Sequence, residues 1–204
     1  MKQFVSQEYC LQCDICCRFT ENPTAWAPKF THSEVVKAVE ENALPPELFT
    51  QANYHAGDTT VFPIQLLDCS GGFRCPCFSV SDNHCLIYHH RPFECRLYPF
   101  MLLKKKNQFF VAYDLKCPYI TSADKKQFQL YKDYLEEEFK RQAFVSFLKQ
   151  HRDLFTEYDS ADLEILFPIH FDTFGGAKSR LLKRRKSVAS RSNPKSNPQA
   201  FSLG

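Results

Sequence analysis

Ten cysteines are the side chains of this 204-residue chain best suited to chemistry, and all ten lie between Cys10 and Cys117. The first group reads Cys10-Leu-Gln-Cys13-Asp-Ile-Cys16-Cys17. Two residues between cysteines let the chain curl so that both thiolates reach one centre. Three cysteines at steps of three can therefore converge on one ion or cluster. The same spacing opens the bacterial ferredoxin ligand run, where the fourth cysteine follows after three more residues and precedes proline. Here Cys17 follows Cys16 directly, and adjacent cysteines fit poorly around one tetrahedral ion. Cys17 is thus read either as serving a second site or as replaced in the first, with the distant Cys117-Pro118 a candidate for the missing ligand. A second group holds Cys75, Cys77, Cys85 and Cys95.

Whether these cysteines mean disulfides or metal depends on the compartment. A secretory signal needs a basic start and an apolar stretch of roughly 7–15 residues, and the opening MKQFVSQEYCLQCDICC offers neither. No uncharged apolar run approaches the ~20 residues of a membrane span. The reading is a cytoplasmic chain without a membrane partner, in which thiols stay reduced. Metal or catalysis becomes the leading use of the cysteines.

The elements that must position them are uneven. Met1 to about Pro28 has little periodicity and reads as a cysteine-rich loop. Thr31 with Glu34 makes a capping box ahead of Val35, Val36 and Val39, so a short helix is expected over roughly 32 to 42, stopped by Pro45-Pro46. Two β-prone runs around Lys105, Lys106 and Asn107 predict a hairpin near 99 to 114. From Thr121 or Ser122, the steps Phe128, Tyr131, Leu135, Phe139, Ala143 and Phe147 predict one amphipathic helix of roughly 25 residues. The segment SADLEILFPIHF reads equally as helix or strand. The fold class expected is α+β: a loop-rich, metal-stapled cysteine domain with a short β-hairpin, packed on a long C-terminal amphipathic helix.

Charge divides the chain as well. Residues 1 to 174 carry 18 basic and 23 acidic side chains, whereas Gly175 to Gly204 carry eight basic and no acidic ones. The tail is filled with Ser, Asn, Pro, Lys and Arg and reads as disordered. The organisation expected is a cysteine-cluster metal-binding domain over 1–120, a helical part of the same unit over 121–174, and a basic tail over 175–204.

The second cysteine group continues as Cys85-Leu-Ile-Tyr88-His-His-Arg91-Pro92-Phe-Glu-Cys95-Arg96-Leu-Tyr98-Pro99-Phe100. Together with the C-x-x-C-x-x-C-C run, this resembles the YkgJ-type cysteine-cluster family, zinc- or iron-chelating domains named for their CxxCxxCC signature. The two motifs, with Cys77-Phe before the second and Cys117 after it, cover a little over half the chain. Carried over position by position, the resemblance implies eight metal-facing cysteines: Cys10, Cys13, Cys16, Cys17, Cys77, Cys85, Cys95 and Cys117. Cys69 and Cys75 fall outside the pattern, although Cys75 could stand in for Cys77. Thiolate-only sites suit zinc, iron and iron–sulfur clusters of the 4Fe-4S kind alike. Two Zn²⁺ against eight thiolates leave a negative excess, for which Arg18, Arg91 and Arg96 are the expected balancing charges. Pro92 and Pro99 are expected to fix the chain direction around Cys95. His89 and His90 are read as packed or solvated rather than as ligands.

The function expected is therefore a metal-chelating cysteine cluster protein. One alternative is a protein-modifying, iron–sulfur-dependent enzyme, because a related cysteine pattern occurs in flagellin lysine N-methylases. No S-adenosylmethionine-binding glycine loop or other catalytic motif is readable, however. A second alternative is a zinc-stapled interaction module whose KRRK tail binds nucleic acid. That tail lacks the interleaved aromatics of a stacking platform, and a solvated tail is the simpler reading.

Overall fold

Thr31 and Glu34 form the helix start that their spacing predicts. The Thr31 side chain accepts from the Glu34 backbone N–H, and the Glu34 carboxylate accepts from the Thr31 N–H at 3.0 Å. This is one local element of a computed structural model that describes residues 1–41, 43–49, 61–159 and 161–171. In chain order the elements begin with α1 (Gln7–Cys10), β1 (Arg18–Phe19), β2 (Lys29–Thr31) and α2 (His32–Glu40). There follow β3 (Val61–Pro63), β4 (Leu67–Cys69), β5 (Gly72–Arg74), β6 (Phe78–Ser79), β7 (His84–Cys85) and α3 (Phe93–Leu97). The chain then forms β8 (Phe100–Lys105), β9 (Gln108–Asp114), α4 (Pro118–Ser122), α5 (Lys125–Lys140), α6 (Gln142–Gln150) and β10 (Leu163–Ile169). The basic tail expected over 175–204 lies outside the described residues.

The fold differs from the expected hairpin on one long helix. Among the described residues there are four small antiparallel sheets, ordered β1-β5-β4, β10-β9-β8, β2-β3 and β6-β7, together with six α-helices. The expected single helix is three. After α4 the Asp124 side chain caps α5 by accepting from the N–H groups of Lys126 and Gln127. At Arg141 the backbone turns extended, with φ −64° and ψ 130°, and α6 starts afresh. This break changes which face is buried. Tyr131, Leu135 and Phe139 are buried on α5 as expected, but α6 buries Val145 and Leu148 and leaves Ala143 exposed. A periodicity read straight through Arg141 therefore fails at Ala143, whereas Phe147 packs on the first core as expected.

The expected hairpin is present as β8 and β9, turned by Lys106 and Asn107 at positive φ. It is not isolated: the segment left open between helix and strand forms β10, pairing with β9 across a register shift between Ile165 and Phe167. Pro168 is tolerated there because β10 is an edge strand. Gly72 is needed for a different reason. Its φ is +147° and a Cβ would come within 2.4 Å of the Phe19 carbonyl oxygen, so β1 and β5 approach one another only over a bare Cα.

Two apolar cores result. The first gathers Phe4, Phe93, Leu97, Phe100, Val111, Leu135, Leu148 and Leu154 with other buried residues, and both Cys117 and Cys10 pack on it. The second gathers Phe30, Val35, Ala38, Phe49, Phe62, Ile64, Leu66 and Phe78, and it includes Cys75 and Cys77, with Cys17 and Cys85 packed against it.

Candidate metal centre

Short elements deliver the cysteines to a common place. Cys10 ends α1, where the Ser6 side chain accepts from the Tyr9 N–H and the ring of Tyr9 meets Tyr119 at 4.8 Å. That ring contact draws Cys10 toward Cys117, which directly precedes α4. The Cys13 N–H donates to the Cys10 carbonyl at 3.2 Å, the turn expected of a C-x-x-C step. Cys16 and Cys17 share a 3₁₀ turn, Ile15–Cys17. The Cys75 N–H donates to the Cys17 carbonyl at 2.9 Å and ties the two cysteine groups together. In the β6–β7 pair Phe78 faces Cys85, and the Leu86 N–H donates to the Cys77 carbonyl at 2.8 Å, so Cys77 and Cys85 lie side by side. Cys95 rides on α3, whose N-cap is Pro92.

Cys10, Cys13, Cys16, Cys17, Cys77, Cys85 and Cys95 line one cavity of about 420 Å³, and so does Cys75. Cys117 does not line the cavity; it is buried and interacts electrostatically with Cys10, Cys13 and Cys16. Cys69 does not line the cavity and interacts instead with Arg18. All ten cysteines are free thiols. Among the described residues no three Cys, His, Asp or Glu side chains are already drawn in as ligands of one ion. Thiol rotations within the cavity would have to complete a coordination shell. The donor set nonetheless fits zinc or iron, because eight soft sulfur donors line the one cavity.

Burial and mutual repulsion act on these thiols. Burial pushes Cys10 and Cys85 up to about 11, with neighbouring cysteines adding to the rise and Arg91 opposing it. Burial raises Cys95 and Cys117 as well. Within two touching pairs the proton is shared unequally. Hydrogen bonding lowers Cys16 and raises Cys17, whose sulfurs lie 3.9 Å apart, and it lowers Cys75 and raises Cys77. Burial thus favours the neutral form of most of these thiols, and a cation among them would favour the thiolates.

The arginines divide. Arg91 stacks on Tyr88 at 3.6 Å, donates to the Tyr88 carbonyl and to Gln3, and favours the thiolate forms of Cys10, Cys16 and Cys85. Arg96 instead pairs with Glu34 at 3.2 Å and is half exposed. Arg18 pairs with Asp14 and lies over Phe78. Arg74, which sequence reasoning passed over, favours the Cys75 thiolate. The His90 Nδ1 lies 2.7 Å from Glu41 rather than among the cysteines.

Sequence reasoning also missed the remaining wall of the cavity, formed by Trp26, Glu94, Tyr98, Asp114, Lys116 and Tyr158. The Tyr98 hydroxyl donates to Asp114 at 3.0 Å, and Trp26 meets Tyr158 at 4.7 Å. Burial raises Glu94 to about 7 against the pull of Lys29, whose backbone N–H donates to it at 2.8 Å. Glu94 and Tyr98 lie inside the second cysteine motif, whereas Trp26, Asp114, Lys116 and Tyr158 carry no spacing signal because they come from three separate segments.

A family model described as "CxxCxxCC: Putative zinc- or iron-chelating domain" matches residues 9–118. The chain belongs to that family, and zinc or iron is the metal its domain is described as chelating. No curated protein and no solved structure matches the chain. No helix among the described residues is long and apolar enough to cross a membrane.

Proposed function

We propose that this protein holds zinc or an iron centre through the thiolates of Cys10, Cys13, Cys16, Cys17, Cys77, Cys85, Cys95 and Cys117, and that the bound metal completes its loop-rich half. The observation that carries this reading is the convergence of seven of these side chains on one cavity, with the buried Cys117 interacting electrostatically with Cys10, Cys13 and Cys16 among them. The elements carrying them are only two to five residues long over most of the region, too short to hold such a cavity by themselves. Arg91 balances charge between the two motifs, and Pro92 starts the helix that presents Cys95. Ten free thiols suit a reducing compartment such as the cytoplasm.

Elemental analysis and a visible spectrum of protein purified without oxygen test this reading. Bound zinc in a colourless protein, or iron with sulfide in a brown one, is the expected result. Protein that is folded, metal-free and unable to take up either metal overturns it.

A further inference from the structure

Only part of the cavity wall is sulfur. At about 420 Å³ the cavity falls in the range of small-molecule sites, roughly 300–1,000 Å³, and Trp26, Glu94, Tyr98, Asp114, Lys116 and Tyr158 line it together with the eight cysteines. We propose that this polar and aromatic part of the wall binds a small organic ammonium ion, with Glu94 as its counter-charge and the rings of Trp26 and Tyr158 against its carbon stem.

Glu94 is the residue in need of a partner. It lines the cavity from α3, and one of its carboxylate oxygens, Oε2, accepts the Lys29 backbone N–H at 2.8 Å. Its other oxygen accepts no hydrogen bond from the described residues. The nearby cations are committed elsewhere. The Lys29 ammonium donates to the Asp153 carbonyl at 2.8 Å and to the Thr156 hydroxyl, and Arg96 pairs with Glu34. An ammonium ion supplies what is missing, because it combines three N–H donors with the opposite charge in one small group.

The surrounding wall selects for the same charge. Asp114, 3% exposed, adds a second carboxylate, whose oxygens accept from the Tyr98 hydroxyl at 3.0 Å and the Lys116 backbone N–H at 2.9 Å. Neither donor is charged, so neither cancels the charge of Asp114. The rings of Trp26 and Tyr158 meet at 4.7 Å, and such rings attract cations over their faces. Lys116 shows the Trp26 ring doing so, with its ammonium 4.9 Å from the ring centre. That ammonium also pairs with Asp162 at 3.3 Å, and both partners are half exposed, so Lys116 is held toward solvent rather than on Glu94. Phe30 and Leu97, both buried, supply apolar wall for a hydrocarbon stem. Glu94 acts electrostatically on Cys95, which places the bound amine beside the thiols.

Trp26 is the single tryptophan of the chain, so its fluorescence reports on this wall directly. Protein purified anaerobically, with its bound metal counted, is titrated with n-butylammonium chloride, and with n-butanol and sodium butyrate as neutral and anionic ligands of the same length. Trp26 emission and calorimetry are read together. The expected result is a saturable response to the amine alone, weakened about tenfold or more in Glu94→Gln with metal per chain unchanged. Butyrate binding as tightly as the amine, or no saturable response to the amine, overturns the inference whatever the metal content, which decides the proposed metal binding separately. Loss of metal from Glu94→Gln would assign Glu94 to the metal centre and overturns the inference as well. The three-ligand series needs no variant, so it decides the matter even where Glu94→Gln fails to fold.

Discussion

The two cores differ in what their own side chains can stabilise. Among the described residues the first buries 18, against 13 in the second, and rests on β8, β9 and α5, elements of six to sixteen residues. Its aromatic contacts are dense: Phe4 alone meets Phe100, Tyr119, Phe128 and Tyr131 within 6.2 Å. In the second, the strands around the cysteines are two or three residues long. Strands of that length leave most backbone groups outside any ladder and bury little apolar area, so they need another constraint. The comparison teaches that the second core, rather than the first, is the part of the fold that a bound metal would have to complete.

The largest effect expected from this difference follows removal of metal. A structural zinc site contributes on the order of 10 kcal/mol to folding, and the second core has less to fall back on. Hydrogen exchange after chelation should show protection lost first around Phe78 and Cys85, while Val111 and Ala112 on β9 stay protected. Simultaneous loss in both places would break the distinction between the cores. A smaller effect is expected from Leu148→Ala in the first core, where Leu148 is fully buried. The lost transfer energy and the cavity should cost about 2–5 kcal/mol in denaturant unfolding, with bound metal per chain unchanged. Metal lost in step with that destabilisation would mean that the first core also shapes the metal site.

The smallest effect sharpens the boundary between the cores. Thr31 is fully buried and caps α2, so Thr31→Ala should cost about 1 kcal/mol. The same capping box holds Glu34, whose other oxygen accepts the Phe93 N–H at 2.7 Å at the start of α3. Loosening that cap should therefore weaken zinc retention against a competing chelator, because α3 presents Cys95. Unchanged retention would show that α3 is held by the first core alone, through Phe93 and Leu97.

What the sequence by itself determined was local. The C-x-x-C turn at Cys10, the capping box at Thr31 and the hairpin turn at Lys106 and Asn107 each depend on residues within a few positions of one another, and each formed as their spacing implies. The two motifs likewise marked the family and its metal, since ligand chemistry resides in residue type. The tertiary structure decided the rest. Whether Cys75 faces the cavity or solvent depends on a hydrogen bond to Cys17, 58 positions earlier in the chain. The segment around Leu163 to Ile169 carries an ambiguous pattern, and only the free edge of β9 makes it a strand. At Arg141 the apolar period runs on, but packing on the first core favours Val145 and Leu148 over Ala143, and the helix breaks to bury them. Short-range spacing determines conformations whose partners are nearby. Side chains whose partners are distant acquire their role only when the cores close around them.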